Sequence, residues 1–174
     1  MRRTTYSSEI NFLTLTVVHW VDVFTRVEYK DFLIRCLRHC QQNKGLEIYA
    51  YVLMTNHLHL IARSTTQDLS WVLRDLKTFS SKELVKMIQD NPQESRKGWM
   101  LPIFFKSGVD NPKNKYHQFW ENENYPTALW SPTVIQQKID YIHENPVKAG
   151  IVNEPHEYFY SSANPLSPLK VNEM

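Results

Sequence analysis

The chain has 174 residues, 42% of them hydrophobic, with Phe 8, Trp 5 and Tyr 9, and its 20 Lys plus Arg against 18 Asp plus Glu leave a net charge of +2. That is the length of about one domain with enough apolar material for a core, which excludes an unstructured solvating chain. The near balance of charge gives no global pull toward nucleic acid, although a pI near 8.5 permits such a partner.

Residues 10–18 are rich in β-branched and aromatic side chains and predict a central strand. Phe32, Leu33, Cys36, Leu37 and Cys40 recur at helical spacing and predict an amphipathic helix over 28–43, with Gly45 as its stop. Cys36 and Cys40 lie on its apolar face, which suits two small buried hydrophobes. A redox or metal pair would show CxxC spacing or further Cys partners. Residues 46–54 and 57–62 predict two strands joined through Thr55-Asn56 as a tight hairpin, Asn being tolerant of left-handed backbone angles. Leu69, Val72, Leu73, Leu76, Phe79, Leu84 and Ile88 predict a second helix over 68–89.

Residues 90–117 break the pattern. Asn91-Pro92, Gly98, Pro102, Gly108 and Asn111-Pro112 punctuate them, and Arg96, Lys97, Lys106, Lys113 and Lys115 outweigh Glu94 and Asp110. The expectation is an irregular, mobile basic insertion. Gln118-Phe119-Trp120-Glu121 predicts a last short strand. Ser131-Pro132 is a good N-cap and first helical residue for a helix whose apolar stripe is Ile135, Ile139 and Ile142, limited by Asn145-Pro146. The tail over 165–174 is expected to be loose.

The order β-α-β-β-α-(loop)-β-α predicts an α+β fold, a ferredoxin-like split βαβ sandwich with an antiparallel sheet, helices on one face and a C-terminal helix, in a single domain over 1–164. No apolar run approaches the ~18 residues of a membrane span. No apolar signal core follows Met1-Arg2-Arg3, so the expected location is cytoplasmic. Neither a GxGxxG nor a P-loop is present, and Gly numbers only 4.

Two features carry chemistry. In Asn56-His57-Leu58-His59-Leu60, alternate strand side chains share a face, so His57 and His59 point the same way, about 7 Å apart along the strand, and can converge on one ion. Two unrelated strand histidines is the plainer reading. Tyr141 and Asn145 are i and i+4 on one helix face, at the edge of the isoleucine stripe. An ordinary amphipathic tyrosine and a helix-ending asparagine is the plainer reading there. His143 and Glu144 read as surface residues. Together, two imidazoles and an amide oxygen make a three-ligand site with open positions. Such a site suits Mg²⁺ or Mn²⁺ polarising a phosphodiester better than a closed structural zinc. A phenol with a pKa of about 10 is a weak nucleophile unless a cation or base helps it.

Five segments resemble the single-tyrosine HUH transposases, above all their REP-associated relatives: Tyr51 through Leu60, Leu73 through Lys82, Phe119-Trp120-Glu121, Asp140 through Gly150, and Tyr160-Ser161-Ser162-Ala163. The resemblance spans most of 10–163. It implies His57 and His59 as metal ligands with Mg²⁺ or Mn²⁺, Tyr141 as nucleophile and Asn145 as third ligand, where the wider group often has Gln. Asn124-Tyr125-Pro126 has Tyr where close relatives are expected to have His. The implied reaction is cutting and rejoining of single-stranded, hairpin DNA through a 5′-phosphotyrosine, by a nucleoid-associated homodimer. Lys77, Lys82, Lys148 and the cations between 96 and 115 are candidates for DNA contact. Trp120 reads as packing rather than a base platform.

Other readings stand beside it. A domesticated, non-catalytic hairpin DNA or RNA binder would use the same sheet in the manner of an RNA-recognition module, although the glycine-aromatic strand motif of such modules is missing. A two-histidine phosphoesterase would need a second, separate His-x-Thr/Ser motif. A structural metal protein would hold zinc and form no DNA adduct.

Overall fold

The structure, a computed structural model, describes residues 9–113 and 116–174. Lys115 of the predicted basic cluster lies outside the described residues. The order is β1 (Asn11–Thr16), α1 (Val27–Asn43), β2 (Leu46–Leu53), β3 (His57–Ser64), α2 (Leu69–Asp90), α3 (Lys97–Val109), β4 (Thr127–Ala128) and α4 (Pro132–Lys148). The four strands form one antiparallel sheet in the order β2-β3-β1-β4, the split βαβ arrangement predicted. Leu13, Leu15, Leu58, Leu60 and Ala62 are fully buried in it, together with Leu33 and Leu37 of α1 and Val72 and Leu73 of α2. Burial of each large aliphatic contributes about 1.5–3 kcal/mol. Cys36 and Cys40 are free thiols inside this core, and burial pushes Cys36 up to about 12.

Gly45 stops α1 as expected. Its φ is +65°, and a Cβ there would lie 2.5 Å from the Thr66 hydroxyl, so only glycine fits. The β2–β3 hairpin closes with Met54 N donating to the His57 carbonyl at 2.9 Å. Asn56 does not take the left-handed angles expected of it; among the described residues the non-glycine positions with positive φ are His19, Trp20 and Tyr125. What Asn56 contributes is its side chain.

Residues 90–117 are not irregular throughout. They contain α3, 13 residues long, with Met100, Phe104 and Gly108 buried along one face. This four-residue period is present in the sequence, hidden by glycine and proline. Pro102 forfeits one helical hydrogen bond, and Gly108 marks where the backbone of His117 passes: a Cβ would meet its Cα at 2.4 Å. The link from α2 to α3 is pinned by buried Glu94, which accepts from Tyr29 Oη at 3.1 Å and Arg96 Nη2 at 2.8 Å and pairs with Arg26 Nε at 2.9 Å.

The segment 118–121 is not a strand. It touches the sheet through one isolated bridge, Val17 to Trp120, and the fourth strand lies later, at β4. Trp120 is buried, donating from Nε1 to Ser80 Oγ at 3.0 Å, as the packing reading expected.

Helix α4 opens on the Ser131 cap and Pro132. It does not end at Asn145. It runs through Pro146 to Lys148, and Gly150 at φ +71° terminates it. Proline in the last turn forfeits one N–H hydrogen bond without unwinding the chain, and the helix end is closed by Ile151 N donating to the Pro146 carbonyl at 2.9 Å.

The tail is not loose. Asn172 pairs with Ile48 on the outer edge of β2 through two hydrogen bonds of 2.7 and 3.0 Å, and Leu169 is buried. Among the described residues no helix is long and apolar enough to cross a membrane.

Candidate active site

The register of β1 against β3 sets His59 opposite Thr14 and His57 opposite Thr16. The period of two aims both rings at the face that α4 crosses. Their centroids are 4.6 Å apart, and the Tyr141 ring lies 5.5 Å from that of His59. Phe12 stacks on His59 at 5.3 Å and meets Tyr141 edge-on at 5.9 Å. The Asn145 amide is within hydrogen-bonding reach of His57. Residues 57, 59, 141 and 145, predicted from two separate segments, thus meet in one place.

Both imidazoles are oriented from behind. Asn56 Nδ2 donates to Asp22 Oδ1 at 2.9 Å, which leaves its Oδ1 to accept from His57 Nδ1 at 2.7 Å. The proton of His57 therefore sits on Nδ1, leaving Nε2 as the lone pair. On His59, Nδ1 lies 2.9 Å from the Thr14 hydroxyl with the Leu13 carbonyl also in reach, while Nε2 is buried with no hydrogen-bond partner. Burial depresses both rings, His59 also through the charge of its neighbours, down to about 3. Both are neutral at pH 7, the form in which imidazole binds metals.

An orphaned buried lone pair is costly unless something completes it. The set of two neutral imidazoles and one amide fits a divalent ion held partly by a substrate phosphate. No group of three or more His, Cys, Asp or Glu that could hold a metal occurs among the described residues, so a closed thiolate or carboxylate site is not built here.

Tyr141 is exposed, at 40% of its surface. Two ammonium groups flank its ring: Lys138 Nζ is 5.4 Å and Lys148 Nζ 5.6 Å from the centroid. Lys138 is also 4.6 Å from the Phe12 ring. Sequence reasoning finds Lys148 and misses Lys138, although 138, 141, 145 and 148 follow helical spacing along one face of α4. It also misses Phe12, Thr14 and Trp20, whose indole meets His57 edge-on at 5.8 Å. His143, read as a surface residue, is half-buried, with Nε2 2.8 Å from Ser162 Oγ, joining α4 to the segment beside β2.

A groove of about 690 Å³ between α2 and residues 116–124 is lined by Arg74, Lys77, Lys82 and His117. Lys77 donates to the Glu121 and Asn122 carbonyls and to Asn124 Oδ1 at 2.6–3.2 Å, tying α2 to that segment, and burial lowers it to about 8. Lys82 is exposed, and the Arg74 guanidinium covers the Trp71 ring at 4.8 Å.

Known proteins supply the context. The family model "Transposase IS200 like" matches residues 13–109, which include the histidine pair and stop before α4. The structure of a REP-associated tyrosine transposase bound to a REP hairpin is similar over 100% of this chain and 93% of that one, with a TM-score of 0.61 and 18% identity, a likeness of fold. A Deinococcus radiodurans R1 structure assigned as a transposase covers 81% of this chain and 96% of its own, with a TM-score of 0.45 and 17% identity. No curated protein matches the chain. With more than half of its length matched by the family model, the chain belongs to the IS200-like transposase family.

Proposed function

We propose that this transposase-family chain cuts and rejoins single-stranded DNA at a hairpin, with Tyr141 as nucleophile and His57, His59 and Asn145 holding Mg²⁺ or Mn²⁺. The observation that carries the reading is the meeting of the histidine pair with Tyr141, at 4.6 and 5.5 Å between rings, from segments about eighty residues apart in the chain. A bound ion would withdraw electrons from the scissile phosphate and offset the charge that builds up there.

The chain's own residues supply the rest. Tyr141 Oη attacks phosphorus and gives its proton to solvent. The bond from phosphorus to the 3′ oxygen breaks, and that oxygen takes a proton. One phosphodiester replaces another, so a 3′-hydroxyl attacking the phosphotyrosine reverses the step and joins strands without an external energy source. Lys138 and Lys148 flank the phenol and favour an anion beside it. Asn56 holds His57 in the tautomer with a free Nε2, and the Leu13 carbonyl, with the Thr14 hydroxyl beside it, favours the same tautomer on His59. Lys82 and Arg74, in the groove along α2, are candidates for more distant phosphates.

The test is an adduct assay with labelled hairpin oligonucleotides copied from DNA flanking the gene. In Mn²⁺ the wild type should form a denaturant-resistant protein–DNA adduct. Tyr141→Phe should form none while binding the hairpin within about threefold of wild type, because only the attacking oxygen is lost. An adduct that survives Tyr141→Phe overturns the nucleophile. Tight binding with no adduct under any metal would make the chain a non-catalytic hairpin binder.

A further inference from the structure

Between β1 and α1 the chain makes a tight turn in which two successive residues, His19 and Trp20, take left-handed backbone angles, φ 54° and 56°. Neither is glycine, and a bulky side chain there is strained. The turn is held shut from three sides. Asn56 Nδ2 donates to the Trp20 carbonyl at 3.4 Å and to Asp22 Oδ1 at 2.9 Å, and Thr55 Oγ1 donates to the same Asp22 oxygen at 2.6 Å. His19 is braced by Glu121 at its backbone N–H, 3.4 Å, and by Ser107 at its ring, 3.2 Å. Arg96 Nη1 caps the Asp22 carbonyl at 2.7 Å.

This framework does not bury the side chain it positions. Trp20 is 61% exposed, whereas Trp120 nearby fills the core at 3%. The indole and the His57 ring meet in a T-shaped contact, 5.8 Å between centroids, so this exposed residue stands at the rim of the histidine pair. The same Asn56 fixes the His57 tautomer and holds the Trp20 carbonyl, so the platform and the imidazole are set by one residue.

We propose that Trp20 is a nucleobase platform: the unpaired base of a nucleotide flanking the scissile phosphate stacks on its indole and sets the register of the strand over His57 and Tyr141. The inference rests on the function proposed above. Stacking accepts any base through its π face, so the platform fixes position and leaves base identity to other contacts. Orientation of the reacting phosphate then follows from a base held within about one nucleotide of it.

The test uses the full chain, Trp20→Ala and Trp20→Phe, and a labelled hairpin oligonucleotide with single-stranded arms from DNA flanking the gene. Binding is read by anisotropy in chelator, so no cutting intervenes. An abasic nucleotide is moved along each arm. The wild type should lose roughly tenfold or more in affinity at one abasic position, near the low end expected for a base on an aromatic ring. Trp20→Ala should lose a similar factor on the intact arm and nothing further at that position, and Trp20→Phe should keep most of the affinity. Equal affinities of wild type and Trp20→Ala throughout the series overturn the platform. Cleavage by wild type in Mn²⁺, absent in Tyr141→Phe, is measured alongside. A flat abasic series with that cleavage intact removes the platform alone, whereas loss of the cleavage itself overturns the underlying function and the platform with it.

Discussion

At the scale of single residues, the candidate site depends on the atoms that orient its imidazoles as well as on the imidazoles themselves. Thr14 Oγ1 stands 2.9 Å behind His59 Nδ1. Replacing Thr14 by Val keeps the shape and removes that oxygen. The expected result is a roughly 10–100-fold weaker apparent Mn²⁺ affinity with the fold intact, since groups behind a ligand tune orientation and basicity by that much. Mn²⁺ titration followed by electron paramagnetic resonance, beside a thermal melt, checks it; unchanged Mn²⁺ affinity would remove Thr14 from the site. Two pairs are legible in the amino-acid sequence alone, because the period of a strand puts His57 beside His59 and the turn of a helix puts Tyr141 beside Asn145. Phe12, Thr14 and Trp20 are not. Their contacts depend on the register of β1 against β3 and on a strained turn, and neither is encoded in local spacing. Lys138 is legible in principle, three residues before Tyr141, but nothing in the local pattern separates it from any other helix lysine.

At the scale of elements, alternation and helical period locate β1 to β3, α1, α2 and the start of α4. Proline misleads twice, at Pro102 and at Pro146. In both cases buried neighbours, Phe104 and Ile142, offset a missing hydrogen bond. The joint between α2 and α3 rests on Glu94, whose carboxylate is buried and held down to about 2, chiefly by hydrogen bonds from Arg96. Its folded value lies below its ordinary value of 4.5, so on acidification the unfolded chain takes the proton first. The stabilisation is therefore complete above about pH 4.5 and is lost as pH falls toward 2, on the order of 3 kcal/mol in all. Urea midpoints between pH 7 and pH 3 should fall for the wild type. Glu94→Gln should be less stable at pH 7 by about 2–3 kcal/mol, with a flatter profile, because Arg26 and Arg96 lose their partner. A wild-type acid limb unchanged in Glu94→Gln would assign that limb to other groups.

At the scale of the whole molecule, a net charge of +2 hides a local arrangement. Lys138 and Lys148 are gathered at Tyr141, and Arg74 and Lys82 line the groove along α2, while acids such as Glu94 are spent inside the fold. The sheet is open, with β2 and β4 as its outer strands, so its edges have to be closed to other chains. The outer edge of β2 is the exposed risk, because an unpaired strand edge templates association. Residues 158–162 cover its upper half, with Leu53 N donating to the Tyr160 carbonyl at 2.9 Å, and the tail covers its lower half through Asn172 on Ile48. Leu169 seats the tail in the core at 1% exposure, and Arg38 Nη2 and Gln41 Nε2 reach the carbonyls of Pro168 and Lys170 at 2.6 and 3.0 Å. A chain ending at Asn164 loses a buried leucine and leaves the Ile48 N–H and carbonyl open, a cost of roughly 2–3 kcal/mol. For this length that should lower the melting temperature by about 5–10 °C. Light scattering on warming should rise earlier and with concentration, as bare edges pair between molecules. Adduct formation at 25 °C should persist, since no tail residue touches His57, His59 or Tyr141 in the contacts described. A truncated chain that melts with the full one would show that the β2 edge is guarded by 158–162 alone.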